Sequence, residues 1–363
     1  MLPLDTLPTL GHKNRALRFL HLCCYGSGLS SLYARLNHQL TQDSVATILM
    51  YHSIPAPGED RWMDPCNCIS AEVFEQHMQF LAKHRHVVSI EQLTQQLKRQ
   101  DPIRLGTVAI TFDDGYRNNF TVAAPILAKY NLPATIYLAT AYVEASKNQW
   151  IDTLYVAFRT RSRHRLCLPQ VKRAAGQVGG KWDLSQRSQR QAAYRAIAHY
   201  LIEATVQQRQ TLLTSLDAQL APRANSPRLT LNWDEVRQMQ QQYPNITLGV
   251  HTANHIDLHT HSEQTTYELK TSIEHLTAAT GISPQHLAFP YNRYNAQSQA
   301  QAAKHLSSAV AVADDPVVRA GTSCYALPRL EAPHSLLLLK SWTNGGFPHI
   351  LRGLVGRAWT QPY

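Results

Sequence analysis

Residues 107–115 read TVAITFDDG, an apolar, β-branched run that ends abruptly in two aspartates and a glycine. Such a run marks a buried strand, and a segment of helical period follows it at 117–130. The pattern recurs on both sides: VATILM at 45–50 precedes a helical segment at 70–84, and ATIYLA occupies 134–139. Alternating strands and helices define an α/β chain built on a parallel sheet. Helix starts are marked at Ser89 with Gln92 and at Asn232 with Glu235, where a capping side chain is matched by one that reaches back.

The alternation stops at about 146–230. Arg- and Gln-rich sequence, a Gly179-Gly180 pair, Pro222 and Pro227 replace it, which reads as a mainly helical insertion. The rhythm resumes with ITLGV at 246–250, a helix over 262–279 closed by Gly281, HLAF at 286–289 and SAVAVA at 308–313. The two stretches are expected to build one barrel-like sheet across the insertion. With 363 residues, 44% of them hydrophobic, the chain can bury a large core. The expected organisation is a helical N-terminal extension at 1–44, a barrel at 45–335 and a basic tail at 336–363.

The net charge of +10 is uneven, because segment 159–228 holds thirteen Lys or Arg against Asp183, Glu203 and Asp217. No zinc-finger spacing or aromatic-basic repeat accompanies it, so a solvated helical surface is the plain reading and nucleic acid is not an expected partner. The six cysteines lack zinc-ribbon spacing and are expected as free thiols. Residues 1–30 lack the pattern of a secretion signal, and no stretch is long enough to span a membrane. These features point to the cytoplasm, with peripheral contact at the inner membrane face as the alternative. Leu29, Leu32, Tyr33 and Leu36 repeat at helical spacing beside basic residues, which suits a helix on a membrane surface or one docked on the protein's own core.

Three polar clusters follow directly on strand-like runs: Tyr51-His52, Asp113-Asp114-Gly115, and His251-Thr252-Ala253-Asn254-His255. In parallel α/β folds strand ends converge at one edge, so residues distant in sequence meet there. Adjacent aspartates leave a strand in different directions, so one can bind a metal while the other faces a substrate. His251 and His255, four apart, would share one side of a helical turn. His259 and His261 follow closely enough for a different pairing, or stand as exposed residues entering the next helix. Two histidines and a carboxylate give three ligands and leave a coordination position open, as catalytic sites require. Zinc is the default divalent metal, and cobalt, nickel or iron suit the same donors.

With Phe289-Pro290-Tyr291 following in order, the sequence resembles the polysaccharide deacetylase family, carbohydrate esterase family four. The resemblance covers roughly 45–330. It implies a distorted (β/α) barrel and metal-assisted hydrolysis of an acetyl group on a carbohydrate, with Asp113 as general base and Asp114, His251 and His255 as metal ligands. The Tyr291 N–H would help to stabilise the oxyanion. Two features depart from the commoner pattern. No Leu-His motif occurs near the C-terminal end; instead the Met50-Tyr51-His52 run resembles the circularly permuted branch, which implies His52 as general acid. Leu287 stands where a base-orienting arginine often precedes the Pro-Tyr motif. Arg329 is the candidate substitute, with a surface or structural ion pair as the alternative. The expected substrate is an amino-sugar-containing exopolysaccharide or its precursor, and the rival is a carbohydrate-binding or scaffold protein that keeps the fold without turnover.

Overall fold

A computed structural model describes residues 45–344 apart from 174, 175 and 314, and side chains outside 170–178. The expected extension at 1–44, with its helix around Leu29–Leu36 pattern positions, and residues 345–363 of the tail lie outside the described residues. The elements in chain order are β1 (Ala46–Tyr51), α1 (Ala71–His84), β2 (His86–Val88), α2 (Ile90–Arg99), β3 (Thr107–Phe112), α3 (Ala124–Lys129), β4 (Ala134–Leu138) and α4 (Thr140–Ala145). Then come α5 (Trp150–Thr160), β5 (Arg165–Arg173), β6 (Gly176–Asp183), α6 (Arg187–Glu203), α7 (Val206–Leu220) and α8 (Trp233–Gln242). The chain continues through β7 (Ile246–Val250), α9 (Thr265–Thr280), β8 (His286–Ala288), α10 (Ala296–His305), β9 (Ser308–Val312), β10 (Val317–Val318), β11 (Leu327–Glu331) and α11 (Leu336–Trp342).

Seven parallel strands close into a barrel in the order β1-β11-β9-β8-β7-β4-β3, and β3 returns to β1 along its whole length, Ala46 to Tyr51 against Thr107 to Phe112. The distortion lies at the amino-terminal ends. There β2 pairs with β3 only at 107–109, while β4 takes the same edge higher up, at Thr111 and Phe112. Likewise β10 pairs antiparallel with Ala46 and Thr47, and β11 takes over that edge from Ile48. The ring is therefore tight at its carboxyl edge and splayed at the other.

The strand pleat sorts the side chains into two layers. Leu49, Tyr51, Val108, Ile110, Phe112, Ile136, Leu248 and Val250 pack outward against helices, in one cluster with Phe74, Met78 and Leu276. Ala46, Ile48, Ala109, Tyr137, Ala288, Val310 and Leu327 fill the barrel, joined by Ile90, Leu93 and Leu97 of α2, which plugs the splayed end. Glu91 at that plug pairs with the buried His286 at 3.0 Å. Helix starts follow the sequence signals: Ser89 with Gln92 and Asn232 with Glu235 both form reciprocal caps, and Gly281 ends α9 in the left-handed conformation.

The insertion between β4 and β7 is helical as expected except at 165–183, where β5 and β6 form an antiparallel hairpin. Its signal was a short alternation: Leu166 and Leu168 are buried while Arg165 and Cys167 are exposed. Those leucines join Leu154, Phe158, Ile197, Leu201, Leu216 and Leu220 in a core separate from the barrel's. Of the expected basic tail, α11 packs on the barrel through buried Leu339 and Trp342, and Arg85 donates to Thr343 Oγ1 and the Lys340 carbonyl, both at 3.0 Å. Cys66, Cys68, Cys167 and Cys324 are free thiols. Among the described residues no helix is long and apolar enough to cross a membrane.

Gly249, in β7, faces the Tyr137 ring inside the barrel. A Cβ there would lie 2.5 Å from the ring and 2.8 Å from the His286 carbonyl, with backbone that cannot yield. Gly249→Ala is expected to destabilise the fold by about 1–3 kcal/mol through overpacking, read as a lower midpoint in urea.

Candidate active site

Strand parity selects what reaches the mouth of the barrel. On β3 the inward set Ala109, Thr111 continues to Asp113; on β7 Gly249 continues to His251; on β1 Ala46 and Ile48 continue toward His52; on β11 Leu327 is followed by Arg329. Four residues from four strands are thus delivered to one end by the period-two alternation alone.

Arg329 is fully buried and clamps Asp113 with two parallel bonds of 2.7 Å, Nη1 to Oδ1 and Nη2 to Oδ2. Its Nη1 also donates to Thr111 Oγ1 at 3.2 Å, and its guanidinium lies 5.8 Å from the centre of the Tyr137 ring. The ion pair is internal, so Arg329 is not a surface residue; the pair with Asp113 suits both the base-orienting and the structural expectation. Burial raises the pKa of Asp113, but the charges of Arg329, His251 and His52 and the hydrogen bonds of Arg329 outweigh it, so the carboxyl stays below its usual range.

Asp114 turns away from Asp113 in the left-handed conformation, and Gly115 continues that turn. Its φ of 74° favours glycine, and a Cβ there would also press on Leu138 Cδ2 at 2.8 Å. Asp114 Oδ1 lies 3.0 Å from His255 Nε2 and 3.6 Å from His251 Nε2, and ligand atoms of all three lie within 4.8 Å of one another. His251 Nε2 is also 4.0 Å from Asp113 Oδ2. Burial raises the pKa of Asp114, but His255, His52 and His251 together hold it well below its usual value. Burial pushes His251 down to about 4, against the pull of Asp113, so its imidazole is neutral near pH 7.

Both imidazoles turn Nε2 toward Asp114. His251 Nδ1 donates to the Ala288 carbonyl at 2.8 Å, which fixes the proton on Nδ1. The Tyr291 hydroxyl donates to the His255 carbonyl at 3.1 Å and accepts from Trp150 Nε1 at 2.7 Å, so it can only accept from His255 Nδ1, 2.9 Å away. With Nδ1 so engaged, each imidazole in its neutral form presents an Nε2 lone pair toward Asp114. That donor set, with a buried carboxylate between the two, fits a divalent metal of the zinc type.

The two histidines do not share a helical turn, contrary to the spacing argument. Residues 251–255 form a loop in which Thr252 and His255 have φ of 63° and 52°. A β-branched residue in that conformation costs on the order of 1–3 kcal/mol. The loop is over-determined by its neighbours: the buried Glu268 accepts from Ala253 N, Asn254 N and Asn254 Nδ2, and the N–H groups of Thr140 and Ala141 donate to the Thr252 and Ala253 carbonyls. His259 is exposed, and half-buried His261 points Nε2 to the Glu203 carbonyl, so neither joins the cluster.

His52 is half-buried at the same mouth, its carbonyl held at 2.7 Å by Asn119, which lies in a π-helical turn at Asn119–Ala123. Tyr291 has φ 56°, and its N–H has no acceptor among the described residues. Several contributors carried no sequence signal. Glu268 sits in an ordinary helical pattern, and Gln149, Trp150 and Arg209 of the insertion also reach the ligand loops. Asp152, fully buried beside them, is pushed well above the usual carboxyl range by burial.

The sequence matches the polysaccharide deacetylase family over residues 103–309, more than half of the chain. YxkH of Bacillus subtilis (strain 168), named for the same family, is 34% identical over 92 residues, which span 25% of this chain and only 30% of that protein. The fold is similar to the Streptococcus pyogenes deacetylase PplD solved in complex with acetate, with a TM-score of 0.54 at 18% identity, covering 84% of this chain and 99% of that one. IcaB from Ammonifex degensii gives a TM-score of 0.51 at 14% identity over 83% and 97% of the two chains. The sequence match covers β3 with its aspartate pair, the histidine loop and the Pro-Tyr turn, and the chain therefore belongs to the polysaccharide deacetylase family.

Proposed function

We propose that this protein is a metal-dependent hydrolase that removes N-acetyl groups from a carbohydrate, an amino-sugar-containing exopolysaccharide or its precursor. The observation that carries this reading is the pairing of Asp113, locked by Arg329, with the Nε2 atoms of His251 and His255 turned toward Asp114. Asp114, His251 and His255 would hold the metal. When bound there, a divalent ion, zinc by default with cobalt, nickel or iron as alternatives, supplies a Lewis acid for the acetyl carbonyl and lowers the pKa of water.

Asp113 takes the proton of the attacking water; the Arg329 clamp keeps both carboxylate oxygens in place and ionised for that step. The Tyr291 N–H, free to donate, stabilises the oxyanion that forms at the acetyl carbon. His52 then protonates the departing sugar amine, the role of the early Met-Tyr-His histidine in the circularly permuted branch that the sequence resembles. Buried Arg329 positions the base and does not touch the substrate.

Acetate release from N-acetylglucosamine oligomers, with a chelated sample as control, tests the reading. Release that depends on metal supports it; none across several acetylated glycans, despite bound metal, would favour the carbohydrate-binding alternative. Asp113→Asn is expected to retain the metal and lose about 10²- to 10⁴-fold in rate, the usual weight of a general base. Asp114→Asn and His255→Ala should instead lose the metal, measured by elemental analysis after gel filtration.

Two further variants divide the remaining roles. His52→Ala is expected to abolish turnover while metal content stays at the wild-type level; near-normal activity would remove it from the mechanism. Arg329→Met leaves the Asp113 charge buried and unpaired, so thermal and urea unfolding should show a loss of about 3–5 kcal/mol along with the loss of activity.

A further inference from the structure

The insertion bonds to the backbone of two proposed metal ligands, Asp114 and His255, and to the Tyr291 hydroxyl that contacts the His255 ring. Gln149 Nε2 donates to the Asp114 carbonyl at 3.4 Å, and Trp150 Nε1 donates to the Tyr291 hydroxyl that fixes the His255 ring. Arg209 Nη1 donates to the His255 carbonyl at 2.8 Å and to the Asn254 carbonyl at 3.1 Å.

Arg209 carries the strongest part of this pattern. It is 3% exposed, and among the described residues no carboxylate forms an ion pair with it. It sits in the first turn of α7, where a cation opposes the helix dipole. Its remaining bonds go to the Leu201 and Ile202 carbonyls at 2.7 and 3.2 Å, in the last turn of α6, and its guanidinium lies 5.7 and 5.9 Å from the centres of the Trp150 and Tyr291 rings. A buried cation is costly unless its donors are satisfied. Here backbone carbonyls satisfy them, and half of those belong to the strained loop that ends at His255. One guanidinium thus ties α6 and α7 to a ligand residue whose backbone φ is unfavourable without support.

We propose that the insertion is the positioning frame of the metal site, with Arg209 as the positioning residue that holds the His255 loop and Trp150 and Gln149 completing it. This rests on the assignment of Asp114, His251 and His255 as metal ligands. Outer contacts of this kind orient ligands and are worth about 10- to 100-fold in metal affinity. Among the described side chains of that thirteen-cation segment, Arg209 is the buried one, and it acts on the site.

The test is zinc affinity of the full chain, measured by competition with a chromophoric chelator, together with the absorption spectrum of the cobalt-loaded protein. Arg209→Met is expected to bind zinc about 10- to 100-fold more weakly, with altered cobalt bands, and Arg209→Lys to recover part of the loss. Trp150→Phe should weaken binding in the same direction but less. A role confined to docking the insertion would lower the melting temperature of Arg209→Met yet leave zinc affinity and cobalt bands of the folded protein unchanged, and that result overturns the proposal. Should Arg209→Met fail to fold, wild-type affinity in both Trp150→Phe and Gln149→Leu overturns it equally. His255→Ala in the same assay separates the two levels. If it leaves affinity unchanged, the ligand assignment fails; if it abolishes binding while the insertion variants do not alter it, only the positioning role fails.

Discussion

The two-pronged bond between Asp113 and Arg329 is the constraint around which the rest is arranged. Neither charge can be left alone in the barrel, because an unpaired buried ion costs several kcal/mol. Asp113 follows β3 and Arg329 lies in β11, and these strands are not neighbours; both flank β1. The pair therefore ties opposite edges of β1 together across the interior. Ala109 and Thr111 lie below it on the inward row of β3. Thr111 serves twice, accepting from Arg329 and donating to the Leu49 carbonyl.

From that base the site separates two carboxylates that are adjacent in sequence. Asp113 continues the inward row of β3, while Asp114, in the left-handed conformation that Gly115 extends, faces the histidine loop. Their electrostatic surroundings differ accordingly: one carboxylate is matched by a guanidinium, while the other faces two imidazoles whose Nδ1 atoms are engaged elsewhere. Environments that push neighbouring acids into separate tasks are how one site supports both metal binding and base chemistry.

Much of this was legible in the sequence because strand parity and strand-end position are written in local composition. TVAITFDDG shows the strand, its end and the turn in nine residues, and ITLGV followed by His251 does the same on β7. The barrel followed from such runs, and the helical character of the insertion from the Arg- and Gln-rich sequence that interrupts them. What stayed hidden depended on long-range contacts. The hairpin at 165–183 carries only two alternating leucines beside its arginines, too short a pattern to outweigh the surrounding helical composition. The geometry of His251 and His255 comes from Glu268, Thr140 and Ala141 gripping the loop, so the four-residue spacing suggested a helix that the loop does not form. Arg209 looks like twelve other basic residues until its neighbours are known.

Charge balance explains why a site with two carboxylates also needs a buried arginine. Asp113 and Arg329 cancel, which leaves Asp114 as the one uncompensated negative charge among the residues proposed to act, since His251 is neutral near pH 7. With a divalent ion the inner site would carry one net positive charge; the oxyanion would form beside it while Asp113 keeps the proton taken from the water, so the total charge is unchanged but the intermediate sets negative charge next to the ion where the neutral amide does not. In a low-dielectric mouth that difference favours the charged intermediate over the neutral amide, which is the selective stabilisation that accelerates a reaction. Without Arg329 the two carboxylates would already neutralise the ion, and the developing oxyanion would gain little from it. The ion pair that holds the barrel together is, on this account, also what keeps the site's charge suited to acyl chemistry.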